Sequence, residues 1–209
     1  MTDGRLLRGE RSRGAILDTA VVLATEAGLD GLSLSQLAQR LGVSKSGLFA
    51  HWASKEELQL AVIDHAGQQW VDRIVAPALR QPRGVRRLWA AHDARIAFYA
   101  EGHLPGGCFF ANAQFEFDAR PGVVRDRLAE AFTEWLTLLQ RLAAEAVEAG
   151  ELPAETDPAQ LAFEINSAGV AAVLHSRLLD PLDTYARARR SVLERLRGLT
   201  TDPTLLPEA

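Results

Sequence analysis

Apolar residues return at every third or fourth position from Ile16 to Leu199, and nowhere do they alternate over the length of a strand. That period belongs to helices buried on one face, so the pattern predicts an all-α fold and excludes a sheet-based one. The first helix is expected from about Glu10 to Ala27, with Ile16, Leu17, Ala20, Leu23, Ala24 and Ala27 on one face and Gly28 as its stop. A second spans Leu34 to Leu41, opened by Ser33 with Gln36 at capping-box spacing and closed by Gly42. A third, very short, runs from Lys45 to His51 behind Ser44. A fourth opens at Ser54, boxed by Glu57, and reaches about Val75, ahead of Pro77. Further helices are expected over Val85–Tyr99, Cys108–Phe117, Val123–Ala149, Ala159–Leu179 and Thr184–Leu199. That makes about nine, without an internal repeat, and the chain after Asp202 reads as a frayed tail.

The chain has enough material for a core: 47% of its 209 residues are hydrophobic and 24% are charged. The net charge of −4 excludes a chain that coats nucleic acid by bulk positive charge. The charge is uneven, however. Residues 1–55 carry Arg5, Arg8, Arg11, Arg13, Arg40, Lys45 and Lys55 against Asp3, Glu10, Asp18, Glu26 and Asp30, a surplus of two, and the remainder carries a deficit of six. A positive head on an acidic body suits a small DNA-reading module. A single cysteine, Cys108, excludes an internal disulfide framework and fits a reducing compartment. The N-terminal arginines precede no apolar run of signal-peptide length, and the longest apolar stretch, Ala168 to Leu174, is too short for a membrane span. A soluble, cytoplasmic protein with no membrane partner is expected.

The most informative segment is Ser33 to Trp52. Leu34, Leu37, Ala38 and Leu41 give its first helix one apolar face. Gly42 allows a left-handed turn without steric cost, and Val43 is placed to plug the corner. Leu48 and Phe49 anchor the short helix that follows, leaving Lys45, Ser46, Gly47, Ala50 and His51 on its open face. A seven-residue helix is about 10 Å long. The DNA major groove, roughly 12 Å wide, admits one such helix. Small side chains at Ser46, Gly47 and Ala50 permit close approach, and the helix N-termini at Ser33, Ser44 and Ser54 offer N–H groups to phosphates.

Over residues 11–63 the sequence resembles the TetR family of transcriptional regulators. The resemblance is carried by Ile16-Leu17 and Ala20, Glu26-Ala-Gly28, Leu32-Ser-Leu34, Leu37-Ala38, Leu41-Gly-Val-Ser-Lys45, Leu48-Phe49, His51-Trp52 and Ser54-Lys-Glu-Glu-Leu58. Gly106-Gly-Cys108 and Asp118-Ala-Arg-Pro121 are similar to a segment found in some members. The resemblance implies a helix-turn-helix DNA-binding domain, residues 1–53, and a helical ligand-binding and dimerisation domain, residues 54–209. It also implies a homodimer on a palindromic double-stranded operator and release of DNA by a small-molecule effector. By match, Lys45, His51 and Lys55 fall at positions that contact DNA. Together with the capping residues, the candidate DNA-binding set is Ser33, Gln36, Ser44, Lys45, Ser46, Gly47, His51 and Lys55. Two departures stand out. Phe49 replaces a tyrosine whose hydroxyl often reaches phosphate, and Trp52 replaces a smaller phenylalanine.

The middle helices supply candidates for a mostly apolar effector pocket: Trp89, His92, Phe98, Phe109, Phe110, Asn112, Phe115, Trp135 and Asn166. Taken singly, each reads more readily as ordinary core than as pocket lining. Asn112, Glu116, Asn166 and His175 lie on largely apolar helices and need polar partners if buried. The last two helices read as a dimer surface, one with Leu161, Ile165, Ala168, Gly169, Ala172 and Val173, the other with Leu182, Tyr185, Ala186, Val192, Leu193 and Leu196. The alternative is that these residues fill an intrachain core. His103 and Cys108 flank a Gly/Pro loop, but two ligands do not make a metal site.

No catalytic set is legible: there is no Gly-x-Ser-x-Gly elbow, no His-Glu-x-x-His and no phosphate-binding glycine loop. The expected function is a ligand-responsive regulator with no cofactor, metal or enzymatic activity, a repressor released from its operator. An activator, an all-helical hydrolase and a protein-interaction module are the alternatives. Lys45→Ala and Lys55→Ala are each expected to weaken DNA binding for every sequence tested and to reduce the slope of log affinity against log salt by about one charge. Fluorescence anisotropy against salt concentration, with DNA from the gene's own upstream region, measures both.

Overall fold

Two aspartate–proline pairs, Asp157-Pro158 and Asp180-Pro181, show how local chemistry starts a helix here. Each aspartate side chain accepts N–H groups of the first turn, and each proline occupies the first position, where no N–H is needed. In a computed structural model of the chain, residues 3–44, 48 and 51–208 are described, with side chains from Arg13 onward. The elements are α1 (Asp3–Ala27), α2 (Leu34–Leu41), α3 (Lys55–Trp70), a π-helical turn (Val71–Val75), α4 (Ala76–Leu79), α5 (Val85–Ala100), α6 (Phe109–Phe117), α7 (Val123–Glu148), α8 (Pro158–His175), α9 (Pro181–Leu199) and a 3₁₀ turn (Pro203–Leu205). No strand occurs among the described residues. The all-α expectation holds, and α2 has the expected bounds.

The differences have local causes. Helical backbone passes through Pro77 to Leu79 because the π turn ends with the Ala76 N–H on the Val71 carbonyl, so that Pro77 falls in the first turn of α4. The last helix starts three residues earlier than expected, at the Asp180 cap, and α8 stops at His175 rather than Leu179. The tail after Asp202 is not frayed. Arg197 Nη1 donates to the carbonyls of Pro203 (3.2 Å), Leu206 (3.3 Å) and Pro207 (2.6 Å), and Leu206 is buried.

The chain forms two compact units, residues 1–69 with 104–130 and residues 70–103 with 131–209, and passes between them three times. In the first, Ile16, Leu17, Ala20, Val21 and Ala24 of α1 share a core with Leu34, Leu37 and Ala38 of α2. Leu48, Trp52, Leu58, Val62 and Ile63 complete it, together with Phe109, Ala113 and Phe117 of α6. Gly106 lies against the end of α1: its N–H donates to Thr25 Oγ1 (3.2 Å), and a Cβ there would overlap the Thr25 carbonyl.

In the second unit, α5, α8 and α9 bury Leu88, Ile96, Leu161, Ile165, Ala172, Val173, Val192, Leu193 and Leu196. Most of the stripe read from sequence as a dimer surface is therefore the unit's own core. Phe163 and Leu174 on α8, Leu178 and Leu179 in the turn that follows it, and Leu182 at the start of α9 are exposed apolar residues.

Gly106→Ala is expected to lower stability by about 2 kcal/mol or more, since the obstructing atom is backbone and cannot step aside. Gly67→Ala, in the interior of α3 with open space around it, is expected to raise stability by about 0.5–1 kcal/mol. Urea unfolding of the two variants checks both signs.

Candidate functional site

The helix-turn-helix frame is assembled from caps and buried anchors. Ser33 Oγ accepts the Gln36 N–H (3.2 Å) and donates to Gln36 Oε1 (2.8 Å), so α2 begins at a fixed point. Gly42 closes α2 with φ 66°, in the left-handed region, and the Val43 N–H reaches the Ala38 carbonyl at 3.1 Å. Val43 itself is 48% exposed and does not plug the corner. Leu48, helical, is buried at 1% exposure, and Trp52 is buried at 2%. The N–H groups of His51 and Trp52 return to the Leu48 carbonyl (2.9 and 3.4 Å). The larger Trp52 is accommodated beneath Arg13, whose Cζ stands 5.3 Å from the indole centroid. Of the candidate DNA-binding residues, Lys45, Ser46 and Gly47 lie outside the described residues, as do Phe49 and Ala50. His51 is half-buried and lines an open cleft of about 510 Å³ with Arg13, Trp52, Glu57 and Asp64. Gln36 and Ser44 are exposed.

The start of α3 carries the second cap. Ser54 Oγ accepts the Glu57 N–H (3.1 Å), and Glu57 Oε2 accepts the Ala53 N–H (2.8 Å), one residue before the position a capping box would place it. Lys55 is not a lone cation: its Nζ lies 3.0 Å from Asp30 Oδ1, while Arg120 Nη1 holds the other oxygen at 2.6 Å. The hydrogen bond from Arg120, then that from Lys55, keeps the Asp30 carboxyl below its ordinary range. Lys55 thus reaches a phosphate only by sharing or leaving Asp30.

The turn that leads into α2 is gripped from α6. Glu116 accepts the N–H groups of Leu29 (2.7 Å) and Asp30 (3.0 Å), and Gln59 Nε2 donates to the Leu29 carbonyl (3.0 Å). Gly28, with φ 84°, faces Glu116 so closely that a Cβ would displace the carboxylate. Asn112 Nδ2 donates to the carbonyls of Thr25 (3.3 Å) and Gly106 (2.9 Å). Two of the polar residues singled out on apolar helices therefore bind backbone within the first unit.

The pocket candidates divide between the units. Phe109 is buried in the first core with Phe110 packed on it, Asn112 is committed as just described, and Phe115 is 62% exposed. Trp89, His92, Phe98, Trp135 and Asn166 belong to the second unit. There Asn166 Oδ1 accepts from Trp135 Nε1 (3.2 Å) and from Arg95 Nη1 (3.2 Å). Arg95, buried, was missed from sequence, as were Trp70 and Tyr99, whose rings face its guanidinium. The available signal was a cation inside an apolar stripe, Leu88, Ala91, His92, Arg95, Ile96 and Tyr99 at helical spacing. His92 Nε2 lies 3.0 Å from the Ala188 carbonyl, and burial, then the charge of Arg95, depress its pKa from 6.5 to about 3. His175 is exposed. Cys108 is buried, so its thiol lacks the solvent access a sensing cysteine needs. No cluster of three or more metal-ligating side chains occurs among the described residues.

Comparison with known proteins places this geometry. Residues 16–62 match the family model described as bacterial regulatory proteins, tetR family, and residues 84–192 match the tetracyclin repressor-like C-terminal domain. The HTH-type transcriptional repressor ComR of Escherichia coli (strain K12) is 26% identical over 155 residues, 74% of each chain. A TetR transcriptional regulator from Chloroflexus aurantiacus superposes with a TM-score of 0.84 at 24% identity, over 92% of this chain and 98% of that one. AibR, solved in complex with isovaleryl coenzyme A and operator DNA, superposes with a TM-score of 0.67 at 20% identity, over 88% of this chain and 96% of that one. At these identities the structural likenesses establish the fold.

The buried imidazole predicts an acid-sensitive fold. The unfolded chain takes up this proton near pH 6.5 and the folded chain only near 3, so the stabilising contribution is complete above 6.5 and is lost as the pH falls. In that window the unfolded fraction is expected to grow about tenfold per pH unit from this group alone. His92→Gln, with no such titration, should lose less stability between pH 7 and 5 than the unsubstituted protein, as read from urea midpoints at each pH.

Proposed function

The chain belongs to the TetR family of transcriptional regulators, and from that premise we propose that it acts as a cytoplasmic, homodimeric repressor released from a palindromic operator by a small effector. The observation that carries this reading is the helix-turn-helix frame, with α2 fixed between the Ser33 cap and the Gly42 turn and the next segment held by buried Leu48 and Trp52. On that frame Lys45, Ser46, Gly47 and His51 face the major groove, while Ser33, Gln36, Ser44 and Lys55 meet the backbone. Residues 1–53 serve DNA and residues 54–209 serve sensing and dimerisation. No helix among the described residues is long and apolar enough to cross a membrane.

Two recognition helices must enter successive major grooves about 34–36 Å apart. An effector that changes their separation releases DNA without touching it, with a coupling of about 1–3 kcal/mol. The helix beginning at Lys55 is the natural lever. The interior around His92, Phe98, Trp135 and Asn166 is the favoured effector region, since Phe109, Phe110, Asn112 and Phe115 belong to the other unit. Binding of an acyl thioester by AibR supports a sensor of organic molecules in this family. For dimerisation, Phe163, Leu174, Leu178, Leu179 and Leu182 are apolar side chains that a lone protomer leaves in water.

Gel shift with DNA from the gene's upstream region tests the reading: a saturable, sequence-selective shift is expected, and none at low salt over the whole flanking sequence removes it. Phe163→Glu with Leu178→Glu is expected to yield monomers in sedimentation velocity while the far-ultraviolet spectrum stays helical. Because single half-sites bind weakly, the same protein should lose most of its operator affinity.

A further inference from the structure

Arg95 is 4% exposed, yet no carboxylate among the described residues lies within ion-pairing distance of it. Buried guanidinium groups are ordinarily paired, because a charge taken from water must recover its lost hydration from an opposite charge. Here only neutral groups answer. Nε donates to Tyr99 Oη at 2.7 Å, and Nη1 donates to the carbonyl oxygen (3.3 Å) and Oδ1 (3.2 Å) of Asn166. The rings of Trp70, Tyr99 and Trp135 stand 5.6, 5.7 and 5.7 Å from Cζ. Nη2 donates to no described residue. The nearest acid along the helix, Asp93, is taken by Arg189 at 2.7 Å.

The seat of this cation is built. Trp135 Nε1 donates to Asn166 Oδ1 at 3.2 Å, which turns the amide oxygen toward the guanidinium. Gly169 makes the space, since a Cβ at that position would overlap the guanidinium itself. One turn before Arg95, His92 is buried with Nε2 on the Ala188 carbonyl, and its Nδ1 is without a partner. The imidazole is neutral, and the other charged group acting on it, Arg189, is also positive. Among the described residues the charge of Arg95 is thus uncompensated, its Nη2 edge is idle, and His92 Nδ1 is an idle acceptor one turn away.

We propose that the effector is an organic monocarboxylate with an apolar body, whose carboxylate pairs with the idle Nη2 edge of Arg95. The proposal rests on the regulator reading given above and names the chemistry of its effector. A single negative charge matches the single buried cation, and an arginine–carboxylate pair is the strong form of hydrogen bond. A cationic ligand is excluded, because the aromatic faces that would hold it already hold the chain's own guanidinium. A neutral ligand leaves the charge unanswered, and a dianion would replace one buried excess charge by another. The indole and phenol rings beside Arg95 suit a hydrocarbon body.

The test uses the full-length protein with two series at constant ionic strength: carboxylates from propionate to decanoate plus benzoate, and the matching uncharged amides. Thermal melting and the emission of Trp70 and Trp135 are the readouts. At least one carboxylate is expected to raise the melting temperature and alter the emission where its amide does not. Arg95→Met is expected to abolish that response and to melt, without ligand, no lower than the unsubstituted protein, since it removes a lone buried charge. Gly169→Ala should weaken the carboxylate about tenfold or more through displacement of the guanidinium, and it carries the test if Arg95→Met fails to fold. Amides as effective as acids, no response to any acid, or a response retained in both variants would overturn the proposal. Gel shift of the unsubstituted protein without acid is the separate readout: a shift there with no acid response sinks the anion alone, and no shift sinks the regulator reading beneath it.

Discussion

The turn between α1 and α2 depends on one carboxylate. Gly28 leaves α1 in a left-handed conformation, and the two N–H groups that follow, of Leu29 and Asp30, turn to a side chain of α6. Glu116 accepts both, and Gln59 satisfies the carbonyl of Leu29. Without that acceptor, two partly buried donors would lose their partners, at about 1–3 kcal/mol each. The direction in which α2 departs, and with it the placement of the helix-turn-helix, follows from this contact. Asp30, held by Arg120 and Lys55, and Asn112, bound to the carbonyls of Thr25 and Gly106, extend the same seam. A residue beyond position 100 thus sets the geometry of a motif that occupies positions 33–52.

The second unit repeats the device and adds a second kind of interior. Glu151 accepts the Val85 N–H at 2.7 Å and so opens α5, much as Glu116 braces the turn before α2. Along α5, however, the apolar stripe is broken by His92 and Arg95, both buried. Burial keeps the imidazole neutral, and the aromatic rings and Asn166 keep the guanidinium in place without neutralising it. Such an interior is less stable than a purely apolar one would be. A sensor gains from that arrangement, because a ligand that supplies the missing charge binds where the protein by itself is least satisfied.

Much of this was legible before any coordinates. The helical period gave the fold class, Ser33 and Gly42 gave both ends of α2, and the spacing from Leu34 to Trp52 gave the helix-turn-helix. Asn112, Glu116 and Asn166 were marked as polar residues in need of partners, and each has one. The misreadings share a cause. The stripe from Leu161 to Val173 was taken for a surface between copies because helical spacing reveals that a face is apolar, not what covers it. The tail was read as frayed because three carbonyls converging on Arg197 have no signature in sequence. Lys55 was assigned to DNA without sight of its ion pair because Asp30 lies 25 positions away.

By itself, then, the sequence determined what depends on neighbours along the chain: the helical class, both ends of α2, and the apolar face of that helix. Those properties arise from hydrogen bonds and steric limits spanning only a few residues. The tertiary structure alone decided the pairings: that Glu116 serves Leu29 and Asp30, that Gly169 makes room for Arg95, and that the apolar face of α8 is spent inside its own unit. The first two join residues more than 70 positions apart, and the free energy of burial that selects among such contacts is a property of the assembled core.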